Sequence, residues 1–321
     1  MESSAEMMNS QQEIVVGADI GGTNTGLGLF KPDGEYISRS SFSTNAGQPV
    51  QDFLERFAEK IRGMISRTNG NLKLAGIGIA APAANYFEGT IESATNFAWG
   101  KVNLVGLVQD YFKVPTVVVN DAKAAALGEM EYGAAKGLRN FMVITLGTGL
   151  GCGVVIDGKI LLGERGLSNE IGHTIVRRNG RQCACGRRGC LEAYVSAEGL
   201  RRNAMELVSD RLEDSTLRTI PFDELTAKTR EAFEYTGRIL GESLADAAAH
   251  YSPRAIVLFG GLVNAGNFLL NPVRRHLKKN LLNIYDGQVR VLRSSLQEEN
   301  AAVLGAGALI RTELGQKNTN I

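Results

Sequence analysis

The first third of the chain alternates short apolar runs with glycine, proline and polar turns. Ile14-Val-Val-Gly-Ala18 is apolar enough for a strand buried on both faces, and it stops at Asp19. The turn Ile20-Gly21-Gly22-Thr23-Asn24 follows, then a strand from Thr25 to Phe30. Pro32-Asp33-Gly34 reverses the chain into a third strand, Tyr36 to Phe42. The period then changes. Between Pro49 and Asn69, Phe53, Phe57, Ile61, Met64 and Ile65 fall on one helical face, which predicts an amphipathic helix. A strand over Leu74 to Ala80 leads to Ala81-Pro82, and Leu104 to Phe112 reads as a helix. The strand Val114 to Val119 ends in Asn120-Asp121, and an alanine-rich helix runs on from Ala122 to about Tyr132.

The pattern then repeats. Phe141 to Thr145 is another apolar strand, followed by the turn Leu146-Gly147-Thr148-Gly149-Leu150-Gly151, a strand to Ile156 and an Asp157-Gly158 turn. Strand, glycine turn and strand recur about 125 residues apart, which implies an internal duplication. The expected fold class is α/β: two related domains flanking a central cleft, each offering a hairpin whose amides can cradle phosphate. This plan resembles the actin-like, ribonuclease H-like superfamily of actin, hexokinase and Hsp70. The spacing around the hairpins is strand–turn–strand, not the strand-to-helix setting of a dinucleotide fingerprint. Further on, helices are predicted over Ala197 to about Leu212, Thr226 to His250 and Asn267 to Leu282, with a connection at Leu217 to Phe222. Arg254 to Phe259 is a strand ending at Gly260-Gly261, and Val289 to Leu292 is the last strand. A helix from Glu299 to about Glu313 carries Ala301, Ala302, Gly305 and Gly307, a small-residue surface suited to close packing. The expected division is a polar tail (1–12), a smaller domain (13–121 with 300–321) and a larger domain (122–299).

Composition narrows the classes. Hydrophobic residues make up 44% and charged residues 21% of 321 residues, the balance of a globular chain with sizeable cores. A net charge of +1 gives no reason to expect nucleic acid or an anionic membrane surface as partner. Residues 1–12 lack a basic-then-apolar leader pattern, and no apolar run reaches the ~20 residues of a membrane helix. A cytoplasmic protein is expected.

Four cysteines are too few for a disulfide framework, and three of them lie within eight residues, as Cys183, Cys185 and Cys190. His173 stands ten residues before Cys183. Cys₃His is a standard structural zinc set, and Gly186 and Gly189 permit the turns that would bring the thiolates together. Arg181, Arg187 and Arg188 are expected to favour the thiolate form.

Glu170-Ile-Gly-His173 followed by Cys183-x-Cys-Gly-x-x-Gly-Cys190-x-Glu192 resembles the signature of the ROK family of sugar kinases and sugar-responsive repressors. The resemblance implies an ATP-dependent sugar kinase, glucokinase-like, using Mg²⁺ with ATP and a structural zinc. It places the donor's phosphates at Asp19, Gly21, Gly22, Thr23 and Asn24, and at Thr145, Gly147, Thr148, Gly149 and Gly151. It places adenosine at Gly260 and Gly261. The sugar falls to Asn96, Asn120, Asp121, Glu170, His173 and Glu192, with His173 also on zinc. Taken alone, Asp121 reads equally well as a helix-capping aspartate; the resemblance makes it the catalytic base. A homodimer is favoured by the same resemblance. N-acylhexosamine kinase and fructokinase remain alternatives. A repressor is disfavoured, because about a dozen residues before Ile14 are too few for a DNA-binding helix-turn-helix. Ala81 stands where many ROK kinases have glycine, and its Cβ is expected to narrow the sugar site towards glucose.

Overall fold

The apolar run after the polar start becomes β1 (Gln12–Ile20), the central strand of a five-stranded sheet. The structure is a computed structural model and describes residues 11–68, 70–92, 97–208, 227–296 and 301–319. Two compact units emerge. The first contains β1, β2 (Asn24–Phe30), β3 (Tyr36–Ser43), α1 (Val50–Arg67), β4 (Leu72–Ala81), the two-residue strands β5 (Ala84–Asn85) and β6 (Thr90–Ile91), α2 (Leu104–Phe112), β7 (Thr116–Asn120), α3 (Asp121–Tyr132) and the C-terminal helix (Ala301–Thr319). Strand order is β3-β2-β1-β4-β7. β2 runs antiparallel to both its neighbours, whereas β4 and β7 run parallel to β1 and to each other in turn.

Both faces of this sheet are covered, which is why β1 is apolar at successive positions rather than alternate ones. Ile14, Val16, Ala18 and Ile20 join Phe53, Phe57 and Ile61 of α1 in one core. Val15 belongs to the opposite core with Val119, Leu127 and residues Val303, Ala306 and Ile310 of the C-terminal helix. That helix lies at backbone contact with the sheet. A Cβ on Gly17 would sit 2.2 Å from the Val303 carbonyl oxygen, and one on Gly78 would sit 1.9 Å from that of Ala306. The same helix meets α3, where a Cβ on Gly305 would lie 1.7 Å from the Ala124 carbonyl oxygen. These contacts keep α3 in the first unit. The chain therefore divides after Gly137 rather than after Asp121, and residues 160–168 return to the first unit before the chain continues in the second.

The second unit carries the second sheet, formed by β8 (Phe141–Leu146), β9 (Leu150–Ile156), β10 (Lys159–Ile160, at the boundary between the units), β11 (Ala255–Phe259) and β12 (Arg290–Arg293), ordered β10-β9-β8-β11-β12. β9 is antiparallel to β8, β11 is parallel to β8, and β12 is parallel to β11. The order of the first sheet and the sense of these three strand pairs are thus repeated, the structural counterpart of the duplication. Helices α4 (Glu192–Val195), α5 (Ala197–Val208), α6 (Ala227–Tyr251) and α7 (Asn267–Asn280) complete the unit. α6 buries Phe233, Ile239, Leu240 and Leu244. Of α7's basic residues, Arg275 is ion-paired with Glu234 of α6 and Arg274 reaches the Val291 carbonyl. The connection expected at Leu217 to Phe222 lies outside the described residues.

Candidate active site

The hairpin between β1 and β2 closes with the Gly21 amide donating to the Asn24 carbonyl at 3.0 Å. The Thr44 amide holds the Thr23 carbonyl at 2.8 Å, which ties the turn to the end of β3. Thr23 and Asn24 are exposed, so the turn is presented rather than packed away. Asp19 precedes it at the strand end, half-buried. Burial, with a smaller contribution from the neighbouring charge of Asp121, raises its carboxyl from 3.8 to about 7. No cationic side chain pairs with Asp19 among the described residues. A hard divalent ion bound through oxygen, as Mg²⁺ is, fits that donor.

Asn120 ends β7 and caps α3, its side-chain oxygen accepting from the amides of Ala122 at 3.0 Å and Lys123 at 3.3 Å. The cap is therefore Asn120, with Asp121 the first helical residue; the Asn120 side chain also hydrogen-bonds the Asp121 carboxylate. Asp121 Oδ1 accepts from the Ala122 amide at 2.8 Å. Surrounding protein desolvates the Asp121 carboxyl and pushes it above the ordinary value. The Ala122 amide and the Lys123 charge pull the other way, and an exposed surface keeps water in contact with it. Lys123 stands in an alanine-rich run with no motif around it. It is fully buried, and its ammonium donates to the Ser168 carbonyl at 2.7 Å. The signal for it was a lone lysine on the helix's small-residue, core-facing side.

In the second unit the β8–β9 hairpin is tied internally. The Gly147 amide donates to the Gly149 carbonyl at 3.0 Å, and the Gly151 amide donates to Thr145 Oγ1 at 3.0 Å. Thr148 is exposed at the tip. Glu192, at the start of α4, accepts from the Leu150 amide at 2.9 Å through Oε2. One of its oxygens is thus committed to the hairpin, a link that chain spacing did not reveal. The zinc-type loop and the second hairpin are thereby coupled through one carboxylate. Gly260, with φ of +103°, ends β11 where a Cβ would fall 2.4 Å from the Leu146 carbonyl oxygen. Beside it lies a pocket of about 290 Å³ lined by Phe259, Val263, Asn264, Arg293 and Ser294. Asn264 and Arg293, which are hydrogen-bonded at 3.2 Å, carried no sequence motif.

The ligand atoms of His173, Cys183, Cys185 and Cys190 all lie within 4.8 Å of one another. Cys183 Sγ is 3.7 Å from His173 Nδ1, and Cys185 Sγ is 3.7 Å from Cys190 Sγ. Zinc–sulfur bonds of about 2.3 Å in a tetrahedron put ligand atoms about 3.8 Å apart, so the set fits zinc. The turn is built by Gly186 donating to the Cys183 carbonyl at 3.1 Å and Cys183 to the Arg187 carbonyl at 2.9 Å. Gly189, with φ of +82°, passes where a Cβ would be 1.7 Å from the Arg177 carbonyl oxygen, a place for glycine alone. Burial pushes the Cys183 thiol up to about 12. Cys185 is desolvated too, but hydrogen bonds from the Arg187 backbone and its cysteine neighbours bring it below the usual value. Of the three arginines, only Arg187 acts on the thiols. Arg181 instead pairs with Glu206 at 2.6 Å and stacks on Tyr194, and Arg188 reaches Gln182. Nδ1 of His173 faces the thiols; Glu170, exposed, begins the short turn that carries His173.

Asn96 lies outside the described residues. Ala81 is fully buried in the core that contains Ile79 and Ile91, where it pairs with Asn120 of β7, so its methyl group packs into the first unit rather than facing outward.

A family model described as "ROK family" matches residues 15–313. A glucokinase of Halalkalibacterium halodurans is 33% identical over 93% of this chain and 95% of its own length. A xylose repressor of Bacillus subtilis is 29% identical over 74% of this chain and 61% of its own. Among solved structures, the ROK family glucokinase of Streptomyces griseus in complex with glucose and AMPPNP is 28% identical, covers 92% of this chain and 98% of that one, and has a TM-score of 0.77.

Proposed function

The chain belongs to the ROK family, and from that premise we propose that it is an ATP-dependent hexose kinase of the glucokinase type, acting on the 6-hydroxyl of glucose. The observation that carries the reading is the pair of carboxylates in the first unit. Asp19 stands near the end of β1 before a glycine turn, Asp121 opens a helix, and each has its carboxyl raised. One carboxylate suits a metal and the other a proton.

In this reading Asp121 accepts the proton of the attacking hydroxyl, for which a raised pKa is an advantage. The amides of Gly21 to Asn24 and of Gly147 to Gly151 hold the donor's phosphates. Mg²⁺ arriving with ATP supplies charge neutralisation at the phosphates, and Asp19 is the side chain that would hold it. Phosphoryl transfer has a loose transition state, so positioning and charge matter more than base strength. Asn120 through its amide nitrogen, Glu170, His173 and Glu192 through its remaining oxygen offer hydrogen bonds to sugar hydroxyls. Zinc on His173, Cys183, Cys185 and Cys190 would hold the loop that carries Glu192. No helix among the described residues is long and apolar enough to cross a membrane, and we place the enzyme in the cytoplasm, where ATP is available.

The repressor relatives raise one other reading, a sugar-responsive regulator. Turnover separates the two. A coupled ADP-release assay over glucose, mannose, fructose, N-acetylglucosamine and N-acetylmannosamine should show the highest kcat/KM with glucose. Sugar binding without ADP release would favour the regulator, and a preferred N-acylhexosamine would move the assignment within the kinases.

A further inference from the structure

A pocket of about 520 Å³ opens in the first unit beside Asp19, lined by Asn24, Gly26, Arg39, Ser41 and Val303. Strand register explains its shape. Asp19 of β1 pairs with Gly26 of β2, and Gly26 pairs with Ser41 of β3. Two residues along, Gly17 pairs with Gly28, and Gly28 with Arg39. Paired residues project from the same face of a sheet, so Asp19, Ser41 and Arg39 share one face, the face the C-terminal helix bounds with Val303. At Gly28 the neighbouring rings of Phe30 and Tyr36 fill the space a side chain would take. At Gly26 no side chain stands between Asp19 and β3. The result is a trough across three strands with a carboxylate at one end and a hydroxyl and a guanidinium at the other.

Arg39 has no ion-pair partner among the described residues. An arginine on an edge strand ordinarily guards against strand pairing with another chain. Such a guard has no need of a concave setting, still less of one shared with the residue suited to hold a metal. A ligand that satisfies both ends must bring metal-bound oxygens to Asp19 and further anionic oxygens to Ser41 and Arg39. A phosphate chain has that form.

We infer that the trough seats part of the phosphate donor's polyphosphate chain, with Arg39 as a donor-binding residue and Ser41 as its hydrogen-bonding neighbour. The inference rests on the kinase reading, in that the donor is taken to be Mg·ATP. Arginine suits the task because its planar fork meets two phosphate oxygens at once and remains charged at any working pH.

The test uses the full chain with Arg39→Ala and Arg39→Lys, and with Arg67→Ala as a control for loss of an exposed positive charge at the end of α1. Calorimetry measures the affinity for Mg·AMPPNP, and steady-state kinetics measures KM for ATP and for the hexose. Arg39→Ala should weaken Mg·AMPPNP binding and raise KM for ATP by about tenfold or more, the effect of one lost charge-assisted hydrogen bond. KM for the hexose should not move, Arg39→Lys should recover part of the loss, and Arg67→Ala should match wild type. Arg39→Ala with wild-type affinity for Mg·AMPPNP overturns the inference, as does a parallel rise in KM for the hexose. The two readings fail separately. A wild-type chain that phosphorylates no hexose, yet loses Mg·AMPPNP affinity on Arg39→Ala, refutes the kinase and keeps the trough. An active kinase indifferent to Arg39→Ala does the reverse.

Discussion

Replacing Asp19 by asparagine should stabilise the protein and destroy its activity, and the stabilisation should depend on pH in a calculable direction. The folded-state carboxyl is raised from 3.8 to about 7 by burial and by Asp121. Between those values the folded chain holds a proton that the unfolded chain has released. Stability is therefore full below the unfolded value, falls as pH rises through this window and is lowest above about 7. A displacement of roughly three pH units at about 1.4 kcal/mol each sets a ceiling of about 4 kcal/mol. Asp19 is half-buried and retains some water contact, so about 2 kcal/mol is the working expectation. Asparagine keeps the shape and cannot ionise. Urea unfolding in Mg²⁺-free buffer should show Asp19→Asn more stable than wild type at pH 8, with the advantage shrinking towards pH 5. Taking the difference between the two proteins at each pH cancels changes at the cysteine cluster. Added Mg²⁺ should stabilise wild type and leave the variant unmoved. Equal stabilities at pH 8, or an advantage that persists unchanged to pH 5, would refute the reasoning that Asp19 is held against its own ionisation.

Asp121→Asn should lower kcat by about 100-fold or more while leaving glucose affinity near wild type, as loss of general-base help predicts; a near-normal kcat removes Asp121 from the chemistry. Metal analysis of protein purified without chelator should find about one zinc per chain, the content of a closed four-ligand site. Cys185→Ser should lose that zinc and weaken sugar binding through the freed Glu192 loop, and undiminished activity in zinc-free protein would contradict it. Gly305→Ala would put a methyl carbon 1.7 Å from the Ala124 carbonyl oxygen, so the C-terminal helix must part from α3. The overpacking should cost about 1–3 kcal/mol and lower the melting temperature; an unchanged melting curve would show that the two helices adjust freely.

Much of the molecule was legible in the chain because its signals are local. The apolar run at Ile14, the glycine turn after Asp19 and their recurrence at Phe141 and Gly147 marked the paired hairpins, since a buried strand and a tight turn each leave a short-range pattern. Helix α1 was readable because one face meets the core and the other meets water. The cysteine cluster was legible for the same reason: three thiols and an imidazole within a short stretch mark a set that fits zinc.

What escaped the sequence depended on partners far away in it. Nothing near Glu192 shows that its Oε2 takes the Leu150 amide, 42 residues back. A lysine inside an alanine-rich helix looks like a solvated residue until the helix is placed with Lys123 inward and a carbonyl 45 residues away to receive it. Ala81 adjoins a loop in the chain, and only the sheet shows that its methyl group is turned into the core. The boundary between the units followed the backbone contact of Gly305 with Ala124, and a glycine within a helix does not announce which helix it will touch. Arg39 and Asp19 came to share one face only through the register of three strands. Sequence determined which segments could be strands, turns and ligands, because those preferences act over a few residues. Tertiary structure decided which side chains were left free to act, because a buried polar group must find a partner wherever the fold supplies one.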